Sequence, residues 1–258
     1  MEHRAHARLG GWEWCPFRVD LGSPDVDASI SFYGSLFGWT PSDPGPPEAG
    51  GYRFFLRDGK MVAGVAPLMM EGQPPAWLNY VTVAEADETV GKARDAGAVI
   101  HVEPMDVLDV GRMAILADPT GAALGLWQPH RHTGAEIVNE PVSLIWNELE
   151  TRDPEAAKPF YKAIFDWDAD TARMGTMEYT TWQLSGKPVG GMADVTGRLP
   201  DAVPAHWLAY FAVADTDAIV EQAQAHGGSV NVAPMDIPAG RFAVLADPQG
   251  AVFGVIKT

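Results

Sequence analysis

Two carboxylates, Asp20 and Glu148, stand at equivalent places in two similar stretches of the chain, each on a short run of alternating residues. Glu148 follows Trp146 by two positions. A carboxylate beside an indole in a half-dry cleft has its charged form disfavoured, which suits it to general-base chemistry near neutral pH. The bland alternative is a solvated carboxylate paired with a nearby arginine. Proton donors to match such a base are His206 and Tyr210, which alternate with Leu208 along one face of the run 207–213 and its start. His206 has no counterpart in the first stretch, where Ala76 takes its place, so any chemistry it does belongs to the second stretch alone. A lone histidine in a strand serves structure at least as readily. A second group of residues is flat and apolar. Tyr80, Trp127, Trp146 and Tyr210 offer apolar walls with polar tips, which suits an aromatic ligand. Gly125 and Gly254 interrupt strand patterns, and a glycine there marks either ordinary close packing or room for a ligand against the backbone. His130 and His132 form a His-x-His pair, and two donors alone make a weak metal site.

The elements that must position these residues follow from an internal repeat. Asp25, Phe32-Tyr33, Phe37 and Trp39 recur in order as Asp153, Phe160-Tyr161, Phe165 and Trp167. Pro75-Ala76-Trp77 and Tyr80 return as Pro204-Ala205-His206-Trp207 and Tyr210, and Pro104-Met105-Asp106 returns as Pro234-Met235-Asp236. Gly111-Arg112 and Asp118-Pro119-Thr120-Gly121 match Gly240-Arg241 and Asp247-Pro248-Gln249-Gly250. In the strand 17–21, Phe17, Val19 and Leu21 form the apolar face, leaving Arg18 and Asp20 on the other. Ile145 and Leu149 are likewise set against Trp146 and Glu148. Gly22-Ser23-Pro24 turns the chain into a helix at 25–37 that ends at Gly38. Asp58-Gly59 is a hairpin signal between 53–56 and 61–67. A strand at 77–83, a helix at 85–96 and strands near 98–103, 112–117 and 122–127 complete the half. Repeated once more, the series gives four βαβββ units. Arg112 and Arg241 recur where the halves agree, and they read as fold elements.

The run from Ser29 to Trp39, its twin from Ala157 to Trp167, and the Asp-Pro-x-Gly turns at Asp118 and Asp247 resemble the vicinal-oxygen-chelate superfamily of glyoxalases, bleomycin-resistance proteins and extradiol dioxygenases. That resemblance implies an α+β fold of two domains with concave mixed sheets, at 12–128 and 143–258, joined by a linker at 129–142. It also implies four inward His or Glu ligands around a divalent ion. Counted from the motifs, those places hold Arg18, Trp146, Gly125 and Gly254, then Leu78 and Leu208, with Ala63 or Gly64 and Gly190 or Gly191 completing the set. A transition-metal site needs about three or more converging His, Cys or carboxylate donors. These residues supply none, so no metal or other cofactor is expected.

With 258 residues, 47% hydrophobic and 20% charged, the chain is long enough for one large or two ordinary domains. Cys15 is its single cysteine, which rules out an internal disulfide and a Cys-based zinc site. The start, residues 1–11, is polar and basic without an apolar run, so the expected address is the cytoplasm. A net charge of −16 disfavours nucleic acid and anionic membranes as partners. The expectation is a metal-free monomer or homodimer that binds a small, flat, largely apolar molecule through Trp146, Gly254, Tyr80, Arg18, Gly125, Trp127 and Leu208. The alternative is an enzyme. It would be a metal-independent isomerase, hydratase or lyase with Glu148 or Asp20 as base and His206 or Tyr210 as acid, or a glyoxalase or dioxygenase with displaced metal ligands.

Overall fold

The computed structural model describes residues 17–258 apart from 71 and 175–176, so Cys15 and the basic start lie outside the described residues. The first half runs β1 (Phe17–Ser23), α1 (Val26–Phe37), β2 (Thr40–Pro41), β3 (Arg53–Arg57), β4 (Lys60–Pro67), β5 (Ala76–Thr82), α2 (Ala86–Asp95), β6 (Val99–Val107), β7 (Gly111–Ala117) and β8 (Ala123–Pro129). The second half repeats it as β9 (Leu144–Thr151), α3 (Pro154–Phe165), β10 (Asp168–Met174), β11 (Met177–Leu184), β12 (Lys187–Asp194), β13 (His206–Ala212), α4 (Thr216–Ala225), β14 (Ser229–Ile237), β15 (Gly240–Ala246) and β16 (Val252–Lys257). These are the four βαβββ units of the repeat. The strands form two eight-stranded mixed sheets, β2-β3-β4-β1-β5-β8-β7-β6 and β10-β11-β12-β9-β13-β16-β15-β14. Short-range chemistry sets the element ends. The Asp25 carboxylate accepts from the Ala28 N–H to cap α1, and Gly38, at φ 71°, closes it. Asp58 and Gly59 both have positive φ, which gives the two-residue turn that right-handed strand twist favours between β3 and β4. Among the described residues no helix is long and apolar enough to cross a membrane.

By packing, the chain divides into two compact units, and each takes segments from both halves. The first unit holds Phe17 and Arg18 with residues 79–133 and 147–207, and the second holds 19–78, 134–146 and 208–258. In the first unit Phe17 lies 5.6 Å from the Trp167 ring and 5.5 Å from Trp207, in a core with Tyr161 and Trp182. The second unit repeats that core with Tyr33, Trp39, Phe55, Trp77, Phe211 and Phe253.

Each core contains one buried polar chain. The Trp207 indole N–H donates to the Tyr161 hydroxyl at 2.9 Å, and that hydroxyl donates to Asp118 Oδ2 at 2.8 Å. Asp118 Oδ1 accepts from the backbone N–H groups of Thr120 and Ala122, which shapes the Asp-Pro-x-Gly turn. Trp77, Tyr33 and Asp247 repeat the chain at 2.9 and 3.2 Å. The recurring arginines make matching ion pairs in the two halves. Arg112 forms a bidentate pair with Asp87 on α2 and a further bond to Asp106, and Arg241 does the same with Asp217 and Asp236.

Candidate functional site

In the first unit, β5 and β8 run parallel with Tyr80 opposite Gly125 and Thr82 opposite Trp127. A Cβ on Gly125 would collide with Cδ1 and Cε1 of Tyr80, so the glycine lets the neighbouring strand's ring lie flat on the backbone. Gly111 does the same for Trp127. Over both rings lies Arg18, its guanidinium carbon 4.6 Å from the Tyr80 centroid and 4.2 Å from that of Trp127, a stacked cation–π arrangement. The linker completes the cover. The Trp127 indole N–H donates to the His132 carbonyl at 2.8 Å, and the His132 imidazole sits edge-on at 5.7 Å. Burial, reinforced by the Arg18 charge, pushes His132 down to about 4. Tyr80 and Trp127 therefore keep only 5% and 1% of their surface exposed, and the space expected over Gly125 is filled by protein.

Also in the first unit, β9 and β13 bring acid and base together. Glu148 and His206 interact, the carboxylate charge favouring the protonated ring, although burial is the larger influence and lowers the His206 pKa. The direct partner of His206 is a residue that sequence reading passed over: Nε2 lies 3.3 Å from Glu150 Oε2. Burial raises the Glu150 pKa, against the pull of Arg198. Alternation on β9 puts Glu150 on the face of Trp146 and Glu148, and that signal was available. It is masked by comparison with the first half, where the twin of Glu150 is Gly22. Arg152 fixes the approach to His206, donating to the carbonyls of Val203 and Pro200 at 2.7 Å each.

In the second unit Tyr210 lies opposite Gly254, and its ring takes the space above that glycine as Tyr80 does above Gly125. Leu208, Tyr210, Val244 and Ile256 form a cluster against which Ile145, Trp146 and Phe242 pack, still partly exposed. Trp146, Leu208, Tyr210 and Gly254 are thus brought together. Asp20 goes elsewhere: it is buried on β1 opposite Gly64 and accepts from the Tyr52 hydroxyl at 3.1 Å. A surface groove of about 290 Å³ in the first unit, lined by Glu85, Glu88, Lys92, Phe165 and Asp166 among others, holds none of these residues.

No three His, Cys, Asp or Glu side chains gather as a metal site among the described residues. The places the motifs assign to ligands carry a guanidinium, an indole, leucines and glycines. That donor set does not fit a divalent ion.

The sequence matches the model of the "Glyoxalase/Bleomycin resistance protein/Dioxygenase superfamily" twice, over residues 17–126 and 132–255. It is 42% identical over 263 residues to the Mycobacterium tuberculosis (strain CDC 1551 / Oshkosh) protein named "Putative glyoxylase CFP32", covering 100% of this chain and 98% of that protein. It is also 42% identical over 259 residues to "Anthracycline biosynthesis protein DnrV" of Streptomyces peucetius, covering 94% of this chain and 92% of the relative. Among solved structures, the Mn(II)-bound glyoxalase from Novosphingobium aromaticivorans superposes with a TM-score of 0.63 at 14% identity, over 95% of this chain and 82% of that one. The 2,3-dioxygenase LapB from Pseudomonas sp. KL28 gives 0.63 at 11% identity, over 95% and 92%. At such identities the likeness to solved structures is one of fold.

Proposed function

Because the chain belongs to the glyoxalase/bleomycin resistance protein/dioxygenase superfamily, we propose that it is a metal-free member that binds a small, flat, largely apolar or aromatic molecule, in a binding, sequestration or accessory role. The observation that carries this reading is Trp146. It stands where the family's pattern calls for a metal ligand, and it packs partly exposed against Leu208, Tyr210 and Ile256. An indole there contributes stacking area in place of a donor pair. The corresponding place in the first half is covered by Arg18 over Tyr80 and Trp127, which supports taking the second half as the binding half. Relatives named for anthracycline biosynthesis fit a planar polycyclic ligand. The enzymatic alternative is favoured by one observation, the coupling of Glu148 to His206.

Two measurements test the reading. Protein purified without chelators should carry well under one equivalent of Zn, Ni, Fe or Mn, and one equivalent lost together with activity on chelation would refute the metal-free claim. Tryptophan fluorescence should be quenched by planar aromatic compounds such as anthraquinone. Trp146→Ala should weaken that binding by roughly ten- to a hundredfold, the equivalent of losing a buried aromatic contact of about 1 to 3 kcal/mol. Unchanged affinity in Trp146→Ala would remove the ligand from this place.

A further inference from the structure

Strand register lays two rows of apolar residues across the second sheet. Arg241 pairs with Asp236, and its guanidinium reaches Asp217 on α4, so that rung belongs to the helix face. Successive side chains alternate, which turns Phe242 and Val244 to the opposite face. Residues directly paired across strands share a face. One row therefore runs Tyr210, Gly254, Val244 and Val232 over β13, β16, β15 and β14, and the next runs Ala212, Ile256, Phe242 and Met235. Neither row carries a charged side chain. Three strand gaps make each row about 14 Å wide. Exposure rises outward along the second: Ala212 and Ile256 keep 8% each, Phe242 is partly exposed, and Met235 keeps 47%. The inner end adjoins Trp146, which packs against the cluster of Tyr210, Val244 and Ile256.

The fold does not dictate where the aromatic ring of this row stands. The corresponding row of the first half is Thr82, Trp127, Met113 and Met105, in the same register. Its ring takes the second place, held beneath Arg18 and bonded to the His132 carbonyl. In the second half that place is Ile256, and the ring is Phe242 in the third. The aromatic surface has moved one strand outward, from a covered position to a partly exposed one. The outer methionine is kept in both halves.

We propose that Phe242 and Met235 are specificity-determining residues of the ligand site at Trp146, and that they select uncharged, linearly fused ring systems of three or more rings. The inference rests on the ligand-binding reading above and adds the length of the ligand to it. A compound of one or two rings seated on Tyr210 and Ile256 leaves Phe242 and Met235 bare. A linear polycycle laid across the strands covers both. With no charge in either row, discrimination at the outer end is by apolar area removed from water. Phe242, whose ring stands 6.2 Å from that of Tyr210 at 61°, continues the aromatic wall outward. Met235 ends it with an unbranched, polarisable side chain that adapts to a flat surface.

The test titrates the full chain with chromone, xanthone and benzo[b]xanthone, neutral ketones of two, three and four fused rings, and reads tryptophan fluorescence. Affinity should rise along the series by at least about tenfold. Hydrophobicity alone also favours the larger compounds, so the variants decide. Phe242→Ala and Met235→Gln should each weaken benzo[b]xanthone by about three- to tenfold and leave chromone within about twofold. Met235→Gln keeps the side-chain length at an exposed place, so a loss there is not a loss of folding. Variants that weaken all three compounds equally, or none of them, would overturn the proposal. Trp146→Ala, run beside them, should weaken the whole series. If it does so while Phe242→Ala and Met235→Gln change nothing, only the present inference falls. If the outer variants act and Trp146→Ala does not, only the role given to Trp146 falls. Absence of quenching by all three compounds removes both.

Discussion

The Tyr161 hydroxyl donates to Asp118 Oδ2 at 2.8 Å, and so joins the first helix of the second half to the Asp-Pro-x-Gly turn of the first. Tyr33 and Asp247 make the reciprocal bond at 3.2 Å. The two most recognisable motifs of the repeat are therefore each other's partners, each copy completing the opposite half. Each bond lies inside one compact unit, where the tyrosine hydroxyl also accepts an indole N–H.

Removing one hydroxyl strands two buried polar groups. Tyr161→Phe should leave the Trp207 indole N–H without its acceptor and cost about 1 to 3 kcal/mol, read as a lower urea midpoint at unchanged slope. The tyrosines also give an alkaline signature. Burial first, and the adjacent aspartate second, hold Tyr33 and Tyr161 protonated to well above the ordinary tyrosine value. A pKa raised by folding gives stability that is complete below the unfolded value, about 10, and is lost as pH rises beyond it. The Tyr33→Phe, Tyr161→Phe double variant should accordingly lose less stability than wild type between about pH 9 and 11. Parallel curves would mean that these hydroxyls are not held as described.

Gly125 and Gly254 should resist any side chain. Gly254→Ala places a methyl inside the Tyr210 ring and should destabilise by about 1 to 3 kcal/mol, the usual cost of overpacking. Tyr210→Ala should relieve that clash, so the double variant should be less destabilised than the sum of the singles. Simple additivity in thermal unfolding would show that the ring does not lie on the glycine.

His132 should leave a mark in acid. Its pKa is depressed to about 4, by burial first and Arg18 second, against about 6.5 in the unfolded chain. For a depressed histidine the unfolded state binds the proton first, so stability is complete above about pH 6.5 and is lost as pH falls towards 4. Replacing His132 by Asn should flatten this slope, and Arg18→Met should move the His132 midpoint upward in an NMR titration. A midpoint near 6.5 in wild type would place His132 in water rather than against Trp127.

The strands and helices were legible because local rules decide them. Asp25 must cap, Gly38 must stop, and Asp58-Gly59 must turn, whatever lies around them. Arg18, Tyr80 and Trp127 on one face, and Trp146 with Tyr210 on another, followed from alternation together with the register counted from the repeated motifs. The partnership of halves was not legible, since Tyr33 and Tyr161 sit in near-identical sequence and no local rule says which aspartate each will reach. Glu150 was not legible from the repeat because its twin, Gly22, has no side chain and so offers no matched residue to point to it. The ring over each glycine was missed for a different reason: sequence shows that a side chain is missing, and only the register shows what fills the gap.

Because each compact unit draws strands from both halves, a break in the linker at 129–142 would not leave one fragment with a whole unit and the other with the rest. Each fragment would own part of both units, including one member of each Tyr–Asp pair. Separately expressed, the two pieces should be poorly folded alone and should recover structure on mixing, as a split protein whose association is its folding.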